Sequence, residues 1–266
     1  MAGRIVLARG DGGIATLLVD NPAKYNAMSL AMWLDLAMQV RTLGQHQDQE
    51  QAVRVLVLRG EGEKAFVSGA DISEFDSTRS AETGSEAYDH AVEDAQAALA
   101  QAPFPVVASI HGICMGGGLG LAMACDLRYC AANAKFRMPA ARLGLGYAFN
   151  GVRQMVAALG GPRVADLFFT ARSFDGAEAE RIGLVHNSFT PDTLDAEVAR
   201  LAATIAENAP LTIRLAKAAI RLAQSPSADD DAAEIAAARQ RCVQSADYAE
   251  GRRAFAEKRT PRFTGN

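Results

Sequence analysis

Histidine and cysteine are both scarce in this chain, with four copies of each among 266 residues. Cys114, Cys125, Cys130 and Cys242 lack the paired spacing of a metal site, and the chain is too long to depend on a disulfide framework. Buried, reduced thiols are expected, and with them a cytoplasmic setting. His46, His90 and His186 have no spacing that pairs them with a nucleophile or a metal, and His111 reads as a core residue at a strand end. No metal is expected. Neither sign of charge dominates: 27 Lys and Arg stand against 31 Asp and Glu, for a net charge of -4 and a pI near 5.6. Nucleic acid is therefore not an expected partner. No apolar run approaches the ~18 residues of a membrane span. Met1-Ala2-Gly3-Arg4-Ile5 lacks the charged, apolar and small-residue succession of a secretory signal, so neither membrane insertion nor export is expected.

What the chain does have is apolar content, 49% by residue, sufficient for a large core. Two β-rich runs, Arg4 to Arg9 and Ile14 to Val19, flank Gly10-Asp11-Gly12-Gly13, a pattern for a hairpin. Ser29 caps a run in which Met32, Trp33, Leu36, Val40 and Leu43 recur at helical spacing. A short strand, Val53 to Leu58, follows, then a polar, turn-rich stretch from Ser73 to Gly84 and a helix from about Ser85 to Gln101, stopped by Pro103 and Pro105. Phe104 to Ile110 reads as a buried strand, Gly116 to Cys125 as a helix start and Asp126 to Ala131 as another strand. Beyond Thr190 only helices are expected, at about Asp192 to Asn208, Leu211 to Leu222, Asp229 to Ser245 and Tyr248 to Glu257. Such a tail packs on the body or on a neighbouring subunit.

Two glycine-rich segments carry the chemistry: Phe66-Val67-Ser68-Gly69-Ala70-Asp71-Ile72 and Gly112-Ile113-Cys114-Met115-Gly116-Gly117-Gly118-Leu119-Gly120. A helix N-terminus offers unpaired N–H donors and partial positive charge, and glycine lets a ligand oxygen come close. With Ala70 supplying a second N–H, the pair reads as an oxyanion hole able to hold an enolate or a tetrahedral oxyanion. Tight turns rich in glycine for packing are the plain alternative for each segment taken alone.

These segments, with Asn21 to Ser29, Pro105 to Asp126, Pro139 to Gly146 and Ala254 to Arg259, resemble the crotonase superfamily, the enoyl-CoA hydratase/isomerase family, in order and over nearly the whole chain. The resemblance implies an α/β fold, a spiral of ββα repeats over residues 1–195 followed by a helical trimerisation region over 196–266. It further implies a homotrimer or a dimer of trimers. The implied ligand is an acyl-CoA thioester, its carbonyl between the Ala70 and Gly117 N–H groups, with coenzyme A entering as part of the substrate and no separate cofactor. Ser68, Ala70, Asp71 and Ile72 would border it, with Lys24 near the nucleotide. Phe255 and Lys258 would reach the adenine end from a neighbouring subunit; surface lysines without partners are the alternative for the two cations. Read alone, Asp71 and Asp126 are caps or turn residues, and Ser68 lacks an activating partner.

The departures from the family pattern bear on the reaction. Gly120 and Ala140 stand where the resembling hydratases carry their two glutamates, and Ala148 stands where the dienoyl-CoA isomerase and dehalogenase branches carry an aspartate. Glycine and alanine cannot move protons, so ordinary hydration by that pair is not expected. Tyr147 matches a tyrosine of the methylmalonyl-CoA decarboxylase branch, although Ala70 replaces that branch's histidine; a packing role at a loop corner is the alternative. Glu93 lies in the helix that supplies a base in the dehalogenase branch, or else belongs to a solvated face beside Asp89 and Asp94. The expected function is an acyl-CoA lyase or isomerase that stabilises a thioester enolate, with decarboxylation slightly ahead of isomerisation and atypical hydration. The rival is a noncatalytic acyl-CoA binder. RNA binding, known in one branch through a lysine-studded helix, ranks last, because Arg41 is the only cation between Ser29 and Leu43.

Overall fold

The computed structural model describes residues 2–45, 52–71, 82–224 and 232–266. Its first two strands, β1 (Arg4–Arg9) and β2 (Ile14–Asp20), pair antiparallel from Arg4 opposite Asp20 to Arg9 opposite Ala15. The turn between them uses the left-handed backbone of Gly12 (φ 68°) and Gly13 (φ 79°), as the hairpin pattern requires. Next come β3 (Val55–Gly60), β4 (Ala65–Val67), β5 (Val106–Ile110), β6 (Ile113–Met115), β7 (Leu127–Ala131), β8 (Lys135–Arg137), β9 (Ser173–Asp175) and β10 (Asn187–Phe189). They form a six-stranded sheet ordered β1-β2-β3-β5-β7-β10 and a four-stranded sheet ordered β4-β6-β8-β9.

From β2 to β10 the neighbours in the larger sheet run parallel. Parallel strands are covered on both faces, which is why Val106–Ile110 is an unbroken buried run instead of an alternating one. Each of β3, β5 and β7 hands the chain to a short strand of the second sheet and then to a helix: Glu82–Gln101, Gly117–Ala124 and Ala140–Leu143 respectively. That is a ββα unit repeated. The second sheet was not anticipated, since its strands are three residues long and carry no readable alternation.

Helix Leu30–Gln45 buries Met32, Trp33, Leu36, Val40 and Leu43, and the Ser29 hydroxyl accepts the Met32 N–H (3.2 Å), the expected cap. The four helices expected after Thr190 are Pro191–Glu207, Pro210–Ala223, Ala232–Gln244 and Ala246–Glu257. Residue 195, the expected end of the spiral, falls inside the first of them. That helix buries Leu194, Val198, Ala202 and Ala206 in the main core, so it packs as part of the body. The later helices cover less: Pro210–Ala223 has no buried residue, and Ile220 and Phe255 stand exposed. After Leu143, itself exposed, the structure adds helices Phe149–Leu159 and Gly161–Thr170, which present Phe149 and Phe169 to the surface.

No helix among the described residues is long and apolar enough to cross a membrane. Cys114, Cys125 and Cys130 are buried and free, and Cys242 is half-buried and free.

Candidate active site

The two glycine segments meet. A Cβ built on Gly69 would lie 3.4 Å from the Met115 carbonyl oxygen and 4.0 Å from the Gly117 nitrogen. Gly118 is the point of closest approach, where a Cβ would fall 2.1 Å from the Val67 oxygen, so no larger residue fits between the helix and β4. Gly116 turns the chain with φ 52° while donating its N–H to the Arg137 oxygen (3.1 Å), and helix Gly117–Ala124 begins at the next residue.

The backbone around Ala70 is held on both sides. Met28 donates its N–H to the Gly69 oxygen (2.9 Å) and accepts the Asp71 N–H at its own oxygen (2.9 Å). That oxygen also accepts the Tyr88 hydroxyl (3.0 Å), which in turn accepts the indole N–H of fully buried Trp33 (2.8 Å). Trp33 also lies beneath the helix start, 3.4 Å from where a Gly117 Cβ would be. One buried side chain thus supports both segments. Between these tethers the N–H groups of Ala70 and Gly117 donate to no acceptor among the described residues.

Lys24, Ser68 and Asp71 gather beside Ala70. Lys24 pairs with Asp71 (2.7 Å), a half-exposed cation on a buried carboxylate, and the Ser68 hydroxyl donates to the Lys24 oxygen (3.3 Å). The segment carrying Lys24 is fixed by buried Asn26, whose amide donates to the Glu61 (3.1 Å) and Ala65 (2.7 Å) oxygens. Ile72 lies outside the described residues. Phe255 and Lys258 are elsewhere in this chain: Phe255 helps line a cavity of about 690 Å³ with Tyr248, Val243 and Phe263, and Lys258 ends its helix in a left-handed turn.

Tyr147 reaches in from the loop before helix Phe149–Leu159. Its hydroxyl lies 2.4 Å, and the Gln96 amide nitrogen 2.7 Å, from where a Cβ on Gly120 would stand. Gly151 leaves room for the ring, which would be 2.6 Å from a Cβ there, and Phe168 packs against it edge-on at 5.3 Å. Burial, aided by nearby Cys114, pushes the phenol up to about 12, so it is a neutral donor at ordinary pH. Ala140 is buried at the start of its short helix, after Pro139, which lies 3.8 Å from where a Gly116 Cβ would stand.

Gln96 was missed by the sequence reading. It occupies the buried face of helix Glu82–Gln101, among Tyr88, Ala91, Ala95, Ala98 and Leu99. A lone polar residue in that apolar line was the available signal. Glu93 sits one turn earlier, half-buried, with no hydrogen bond or ion pair among the described residues, while its neighbour Asp94 is bonded to Arg41 through both carboxylate oxygens. His111, next to Gly112, is buried and bonds Asp195 of helix Pro191–Glu207 (3.0 Å). No group of three or more metal-binding side chains occurs among the described residues.

Comparison with known proteins gives one family model, enoyl-CoA hydratase/isomerase, matching residues 9–266. The chain is 32% identical to the crotonyl-CoA hydratase of Syntrophomonas wolfei over 271 residues, 99% of each chain. It is 30% identical to the peroxisomal Delta(3,5)-Delta(2,4)-dienoyl-CoA isomerase of Arabidopsis thaliana, covering 97% of this chain and 95% of that one. A crystal structure of an enoyl-CoA hydratase/carnithine racemase from Magnetospirillum magneticum superposes with a TM-score of 0.89 at 36% identity, covering 98% of this chain and 96% of that one.

Proposed function

The chain belongs to the enoyl-CoA hydratase/isomerase family, and we propose that it binds an acyl-CoA thioester and stabilises its enolate, with decarboxylation or isomerisation in place of ordinary hydration. The observation that carries this reading is the pair of undonated amides, Ala70 and Gly117, on two segments tethered to Met28 and Trp33. Two preorganised donors on one oxygen lower the cost of an enolate by several kcal/mol, each being worth about 3 kcal/mol.

The choice of step rests on what surrounds Gly120. Hydratase names are common among the relatives, yet hydration needs one group to activate water and another to protonate carbon. Gly120 and Ala140 supply neither, and Tyr147 and Gln96 occupy the space next to Gly120. A phenol pushed up to about 12 is a poor base and a serviceable acid. Decarboxylation of a malonyl-type thioester suits such a site. The bond from Cα to the carboxylate breaks, carbon dioxide leaves, and the electron pair moves through Cα onto the thioester oxygen between the two amides. A proton from Tyr147 then reaches Cα, and water restores the phenol. Isomerisation of a β,γ-unsaturated thioester needs a base as well, and Glu93 is the carboxylate proposed for it.

Lys24, Ser68, Asp71 and Ile72 are proposed to border the coenzyme A moiety. Phe255, 87% exposed, and Lys258 are proposed to serve a neighbouring subunit's ligand in a trimer or a dimer of trimers.

The test is a panel of malonyl-type, β,γ-unsaturated and crotonyl-CoA thioesters. Turnover of a malonyl-type ester is expected, with crotonyl-CoA hydrated at least about 10²-fold more slowly than by an efficient hydratase. Tyr147→Phe should lower kcat about 10²-fold or more with little change in affinity, the mark of an interaction made in the transition state. Efficient hydration of crotonyl-CoA would overturn the choice of step. Binding without turnover across the whole panel would make the protein a noncatalytic acyl-CoA binder.

A further inference from the structure

We propose that Gln96 determines specificity: beside Tyr147, its amide binds an oxygen carried on the third carbon of the acyl chain, a malonyl-type carboxylate or a 3-keto group. The inference rests on the thioester grip proposed above and adds which acyl groups that grip selects.

Gln96 is only 7% exposed, and its carboxamide makes no hydrogen bond among the described residues. Its polar atoms are not among the fully enclosed unpaired ones, which among the described residues are Arg59 Nε and Ser109 Oγ, so the amide end stays open to a ligand oxygen. Its direction is defined by Gly120: the Gln96 amide nitrogen and the Tyr147 hydroxyl lie 2.7 and 2.4 Å from one point, where a Gly120 side chain would begin. The two groups come from a helix and a loop far apart in sequence, and both converge on that point.

The placement also suits the reaction. Gly120 is three residues along the helix from Gly117, about 4.5 Å of axial rise. A thioester oxygen held at the Gly117 amide would bring the third acyl carbon toward the two side chains. Gln96 is neutral at every pH and can transfer no proton, so its part is recognition; Tyr147 remains the acid. An acyl chain with only hydrogens at that carbon would cover the Gln96 amide without pairing it, the situation in which a hydrogen-bonding site rejects an analogue most strongly.

The experiment is calorimetry on the full-length chain with butyryl-CoA, acetoacetyl-CoA and malonyl-CoA, using KM for any ester that turns over. Wild type should bind one or both oxygen-bearing esters at least about tenfold more tightly than butyryl-CoA, the effect of a hydrogen bond to an anionic or keto oxygen. In Gln96→Leu that preference should shrink to about twofold through loss of the oxygen-bearing ligands' affinity, with butyryl-CoA serving as the measure of an intact thioester grip. Loss confined to malonyl-CoA identifies the carboxylate, and loss confined to acetoacetyl-CoA the keto oxygen. Gln96→Met, matched in length, replaces the leucine variant if that one folds poorly. A preference that survives either substitution, or its absence in wild type, overturns the role of Gln96 and leaves the thioester reading standing. If none of the three esters binds, the thioester reading itself falls.

Discussion

At position 120 the difference between glycine and glutamate is set by two neighbours contributed from elsewhere in the fold. Building a glutamate there forces its first carbon to within 2.4 Å of the Tyr147 hydroxyl and 2.7 Å of the Gln96 amide nitrogen. Gln96 can swing at its flexible end, whereas Tyr147 is packed over Gly151 and against Phe168. Gly120→Glu with Ala140→Glu is therefore expected to yield little hydration of crotonyl-CoA, and the same pair on a Tyr147→Ala background to yield clearly more. Initial-rate assays on both backgrounds check this; equal rates would mean the tyrosine moves aside freely. Gly120 is legible as a missing acid only through the resemblance to the enoyl-CoA hydratase/isomerase family, whose hydratases carry a glutamate there. That its space is already filled depends on residues 24 and 27 positions away in the chain.

Helix Pro210–Ala223 shows how an element with no buried residue of its own is nonetheless secured. Lys217 enters the interior and donates to the Asp126 carboxylate (2.7 Å), the Phe104 oxygen (2.9 Å) and the Leu99 oxygen (3.2 Å). Asp126 also accepts the Val106 N–H (2.7 Å), so one ion pair joins this helix to the end of helix Glu82–Gln101 and the start of β5. Burial lowers the Lys217 pKa while Asp126 opposes the change. Lys217→Met should cost about 3 kcal/mol, the lower end for a broken buried pair because Asp126 keeps some contact with water. Denaturant unfolding measures it, and Asp126→Asn added to that variant should recover part of the loss. Asp126, expected as a cap or turn residue, instead accepts the N–H of Val106, 20 positions away, and the helix itself was legible in the sequence. Their pairing was not, because 91 residues separate them.

Over the molecule as a whole, carboxylates of helix Ala246–Glu257 hold the end of the chain against that helix, and Arg54 ties it to the body. Asp247 accepts the N–H groups of Thr264 (2.7 Å) and Gly265 (2.9 Å), and Glu250 accepts that of Arg262 (3.0 Å) along with the guanidiniums of Arg253 and Arg259. Arg54 joins this tail to the core, donating to the Phe263 and Ala206 oxygens (2.9 Å each). Arg259 first, then Arg253 and the Arg262 N–H, hold the Glu250 carboxyl well below its ordinary value of 4.5. A depressed carboxyl stabilises the fold above that value and loses the contribution as pH falls beneath it. Limited proteolysis should find the wild-type tail protected at pH 7 and increasingly cut below about pH 4, whereas Glu250→Gln should be cut already at pH 7. Equal protection of both proteins at pH 7 would show that Asp247 and Arg54 suffice.

The sequence by itself determined the hairpin, the helices with clear apolar periodicity, the two glycine segments and the absence of acids at positions 120 and 140. The first three are each written within a few residues, in backbone preferences and in the period of burial; the missing acids are legible through the resemblance to the family. The tertiary structure alone decided the second sheet, the Met28, Tyr88 and Trp33 tether under the two amides, the place of helix Pro191–Glu207 in the main core, and the meeting of Gln96 with Tyr147. Those depend on which distant segments pack together, and a side chain's neighbours across the core leave no periodic trace in the order of residues along the chain.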